Sequence, residues 1–171
     1  MLRTSTTDLL SAVIDAARDV LNDPATGVPH LGEGGAVPVV RVGGSIEAAV
    51  AGNVRSLAGL VCLVTYVAQD PIRAAAARTM SGNSTAETLP VACVLLLRRK
   101  GRGEDVAVLE DLDLAGDCLS EGLEKRGRDR AWIAQTGVHR LAYQGTGALA
   151  SDSDWRGRSV TFDLTRLRRY V

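Results

Sequence analysis

Aromatic residues are scarce: one Phe, two Trp and three Tyr in 171 residues. With so few large rings, the interior has to be assembled from Val, Leu, Ile and Ala. Lysine is nearly missing too, two residues against eighteen arginines. A surplus of either charge is absent, since 20 basic side chains balance 20 acidic ones. That balance argues against a generic nucleic-acid binder, which needs excess positive charge to displace counterions. It also leaves no net repulsion to keep copies of the chain apart.

There are three cysteines, Cys62, Cys93 and Cys118, and two histidines, His30 and His139. No CxxC pair occurs, so neither a disulfide framework nor a zinc site of closely spaced ligands is indicated. The cysteines read as small buried hydrophobes of a reducing compartment. The longest unbroken apolar run, Val91 to Leu97, is far too short to span a bilayer. Met1 to Asp8 carries no signal peptide pattern.

What is present is an ordinary globular mixture, 46% apolar and 23% charged. It suits one domain over residues 1–171. Thr7 to Leu21 places apolar residues at Leu9, Leu10, Val13, Ile14, Ala17, Val20 and Leu21, the spacing of a helix with one buried stripe. Asn22-Asp23-Pro24 ends it. Val37 to Val42 is β-like, and its Pro38 makes it an edge or the start of a strand. Residues 45–56 read as loop or short helix. Leu57 to Ala68 and Thr88 to Leu97 are apolar on both faces, as central strands are. Ile72 to Glu87 between them reads as a long excursion, tipped by Met80-Ser81-Gly82-Asn83-Ser84.

A second helix is predicted from Glu104 to Arg126, on the stripe Leu109, Leu112, Gly116, Leu119 and Leu123. Its acidic start and basic end suit the helix dipole. Val138 to Gln144 and the alternating Ser159 to Tyr170 read as two strands, the latter with a bulge near Arg166-Leu167. A long loop, Gly145 to Arg158, joins them. The order is α, three strands, α, two strands. This is an α+β pattern, a mainly antiparallel or mixed sheet of about five strands with two amphipathic helices packed on one face. The other face of the central strands is apolar as well, and the chain offers little to cover it. A neighbouring copy is the economical cover.

Motifs with chemistry are weak. Gly145-Thr146-Gly147-Ala148-Leu149-Ala150 matches G-x-G-x-x-A, but no second βαβ unit follows it. Gly32 to Gly35 lacks the Lys-Ser/Thr of a phosphate loop. No residue pattern calls for a metal, a cofactor or a catalytic group. Basic clusters stand at Arg98-Arg99-Lys100-Arg102, Arg126-Arg128-Arg130 and Arg166-Arg168-Arg169. They read either as solvated ends of elements or as partners for acids of another subunit. Asp152 and Asp154 read as a solvated loop, a cation ligand pair, or partners of a neighbour's arginine. Trp155 reads as a lid folded on its own sheet or as an interface anchor.

The layout resembles the tail-terminator (tail-completion) proteins of long-tailed bacteriophages. The resemblance rests on an amphipathic opening helix (Thr7 to Leu21), three strands, a long helix (Glu104 to Arg126), and a closing strand–acidic loop–Trp–strand. That ending is Asp152-Ser-Asp-Trp155-Arg-Gly-Arg-Ser-Val160-Thr-Phe-Asp-Leu164. It implies a non-enzymatic virion protein of the tail–neck region, assembled in the host cytoplasm. Such a protein forms a hexameric ring of identical copies on the last ring of the tail tube. The ring stops tube polymerisation and meets a neck or connector protein. The partners implied are the chain itself, the tube protein and the neck protein. No membrane and no sequence-specific nucleic acid are implied, and DNA passes through the lumen without being gripped. The interface residues expected are Arg98, Arg99, Lys100, Asp152, Asp154, Trp155, Arg156 and Arg158.

Two alternatives stand beside this. One is a head–tail connector or neck component with a similar core. The other is a small oligomeric α+β enzyme or ligand-binding domain, with a pocket walled by His139, Tyr143 or Cys93.

Overall fold

A computed structural model describes residues 6–43, 45–67, 79–81, 84–99, 105–149 and 154–169. The chain is α+β. Helix α1 (Thr6–Leu21) is followed by strand β1 (Val39–Arg41), helix α2 (Ile46–Asn53) and strands β2 (Val61–Tyr66), β3 (Thr79–Ser81) and β4 (Ser84–Arg98). Helices α3 (Asp105–Arg126) and α4 (Arg130–Thr136) precede β5 (Val138–Ala148) and β6 (Trp155–Arg169). The sheet order is β1-β2-β4-β6-β5, with β3 beside the start of β4. Among the described residues, β1 and β2 run parallel and the remaining pairs are antiparallel.

One sheet face carries Cys62 and Val64 of β2, Val91, Cys93, Leu95 and Leu97 of β4, and Val160, Phe162 and Leu164 of β6, all buried. Helix α1 lays Leu9, Leu10, Val13, Ala17 and Leu21 on it, and α3 adds Val108, Leu112, Ala115, Leu119 and Leu123. Each such aliphatic side chain contributes about 1.5–3 kcal/mol on leaving water. The α3 stripe begins at Val108 rather than at Leu109, which is half-buried. Asn22 closes α1 with its carboxamide: Nδ2 donates to the carbonyls of Arg18 and Val37 at 3.0 Å. Oδ1 accepts from the Val37 N–H at 2.7 Å. The helix end and the approach to β1 are thereby held in one clamp.

Helices α1 and α3 approach closely where Gly122 faces Val20, because a methyl group at Gly122 would overlap the Val20 branches. Gly122→Ala ordinarily favours a helix by about 0.5–1 kcal/mol. Here overpacking against a stiff β-branched side chain reverses the sign, with a net loss of about 1–2 kcal/mol in urea unfolding. Adding Val20→Ala should return Gly122→Ala to neutral or better.

The structure departs from the sequence reading in five further places. First, the second sheet face is covered by the chain itself. Leu63, Val94 and Leu96 are fully buried under Ala49 of α2, Leu57 and Trp155. Leu149 folds over the same face where Gly157 leaves room for it and for Leu96. The segment at 45–56 that read as loop or helix is α2, capped by the Ser45 hydroxyl accepting from Ala48 N–H. Further along, this face turns polar, with Ser159, Thr161, Asp163 and Thr165 alternating on β6.

Second, the excursion predicted over Ile72 to Glu87 ends in strands: residues 79–81 are β3, and β4 starts at Ser84, not Thr88. The rest of it, residues 72–78 and 82–83, lies outside the described residues. Third, α4 was not anticipated. Its boundaries are local, an Asp129 side chain accepting from Ala131 N–H and Gly137 in the left-handed region at φ 76°. Fourth, no register shift occurs between β4 and β6 near Arg166; the irregularities lie in β5, at Val138/Arg140 and Tyr143/Gly145. Fifth, β5 runs on to Ala148 and β6 starts at Trp155, so the predicted loop Gly145 to Arg158 shrinks to residues 149–154.

Candidate functional site

Pairing β4 with β6 brings most of the expected interface residues to one end of the sheet. Arg98 stands opposite Trp155, Leu97 opposite Arg156, and Leu95 opposite Arg158. The Arg99 N–H donates to the Asp154 carbonyl at 2.8 Å, extending the ladder by one rung. Lys100 and Asp152 lie outside the described residues. The alternation of a strand then divides the cluster. Arg98 and Trp155 take the α2 side, and Arg156 and Arg158 the side of α1 and α3.

The members are not equally available. Trp155 is 8% exposed and packs with Leu57, Leu63, Val94 and Leu96. It is a lid on its own sheet, with little surface left for a neighbour. Arg158 donates through Nε to Asp113 of α3 at 3.1 Å, tying β6 to the helix. Arg98 is exposed and donates to the Leu57 carbonyl at 3.2 Å. Arg156 donates to the Trp155 carbonyl at 2.9 Å. Arg98 and Asp154 are the exposed members of this end.

Other arginines that stood in basic clusters find acids within the chain: Arg126 with Asp19 at 3.5 Å, Arg128 with Glu124 at 3.7 Å, and Arg166 with Glu87 at 2.7 Å. The Arg166–Glu87 pair lies directly across β4 and β6 and is largely dry. Beside it, burial pushes the Tyr66 phenol above its usual range, an effect that Arg166 and Arg41 partly offset.

The groups assigned to an enzyme pocket are not brought together. Cys93 is buried in the core with Cys62, whose thiol is pushed well up by hydrogen bonding to Cys93 and by burial. His139 is exposed on β5. Tyr143 stands edge-on to Phe162 at 6.0 Å, and its hydroxyl is 2.8 Å from that of Thr146. His30 is exposed in the turn after α1. A groove of about 440 Å³ runs between α1 and α4, lined by Ser11, Asp15, Asp19, Arg126, Trp132 and Gln135 among others. Its two carboxylates already pair with Arg18 and Arg126. Among the described residues, no three His, Cys, Asp or Glu side chains gather as metal ligands. Among the described residues, no helix is long and apolar enough to cross a membrane.

One surface escaped the sequence reading. The outer side of α3 bears Glu110, Leu114, Asp117 and Glu121, all exposed, with Val106 at the helix start. The spacing of four, three and four puts them in one row along the helix. The signal was present: Leu114 falls out of phase with the buried stripe, so an apolar side chain is placed among acids on the solvent side.

No known protein family matches this chain, and a search of curated proteins finds no match either.

Proposed function

We propose that this chain is a structural, non-enzymatic assembly protein of the tail-terminator type. Copies form a ring on the end of a phage tail tube, stop its growth and present a surface to the neck. The observation that carries this reading is the order of elements. The resemblance rests on an amphipathic helix, three strands, a long helix and a closing strand–acidic loop–Trp–strand; the chain has an amphipathic helix, three strand lanes, a long helix and two closing strands in that order, with the short helices α2 and α4 in addition. The clustering of Arg98, Arg99, Asp154 and Arg156 at one end of the sheet supports it, since a charged end of this kind suits contact with another protein ring. The action is steric: one side of the ring matches a tube ring, and the other does not template the next.

Tails assembled without this protein should show abnormal tube lengths in electron micrographs, and adding it back should restore a fixed length. Tails of normal length in its absence would overturn the proposal. Pull-downs with separated tube and portal-side proteins sort the neighbours. Capture of tube protein supports a terminator, and capture of portal-side protein alone would move the chain to the neck.

A further inference from the structure

No further inference is drawn: the strongest candidate, the outer face of α3 where Val106 and Leu114 stand exposed among Glu110, Asp117 and Glu121, is an unpartnered helix face, and nothing in the structure shows what covers it.

Discussion

Glu87→Ala should lower the unfolding free energy by about 3 kcal/mol in urea melts. The Arg166 guanidinium would then keep its place, with only 8% of its side chain exposed, and lose the carboxylate it holds through Nε at 2.8 Å and Nη2 at 2.7 Å. The cost is that of a desolvated guanidinium that loses this carboxylate. It falls near the lower end of the usual range because Glu87 is itself 15% exposed, so water can reach the vacated side. The double change Glu87→Leu with Arg166→Met removes both charges and should recover most of the loss, or exceed the wild type. A double variant no more stable than Glu87→Ala would show that the pair is not what holds this end of the sheet.

Trp155→Ala should cost still more, about 3–5 kcal/mol. The indole is the largest side chain covering the α2 side, and Leu63, Val94 and Leu96 beneath it are fully buried. Removing it opens a cavity between α2 and the sheet and lets water reach three aliphatic side chains at once. Thermal unfolding of Trp155→Ala beside Trp155→Phe separates the two contributions, since Phe keeps most of the cover. If Trp155→Ala melts with the wild type but loses association, the tryptophan anchors an interface after all.

The sequence made the sheet's centre and the two large helices legible because each has a strong period. Leu9 to Leu21 and Leu112 to Leu123 follow the helical stripe, and Val91 to Leu97 is apolar on both faces because both faces are covered. Elements whose pattern answers to something distant were harder to read. The first residues of β4 are Ser-Thr-Ala-Glu-Thr, polar because they extend past the apolar core, so nothing in them asks to be a strand. Trp155-Arg-Gly-Arg resembles a loop until Gly157 is seen as the space that Leu96 and Leu149 need. The cover of the second face was missed for a similar reason: Ala49 is the one buried residue of α2, and a short helix with so slight a stripe gives little periodic signal. At the candidate site, the arginines at the end of β4 and β6 were visible as a charge run. Which of them would be occupied within the chain, as Arg158 is by Asp113, depends on a helix forty-five residues away in sequence.

Strand β6 follows both of its sheet neighbours in chain order yet lies between them, and it pairs with β4 along its whole length. During synthesis, β4 and β5 therefore wait with unsatisfied backbone edges until residues 155–169 leave the ribosome. Nascent chains in that interval are the species most exposed to mispairing with one another. Insertion of β6 then seals both edges in a single step.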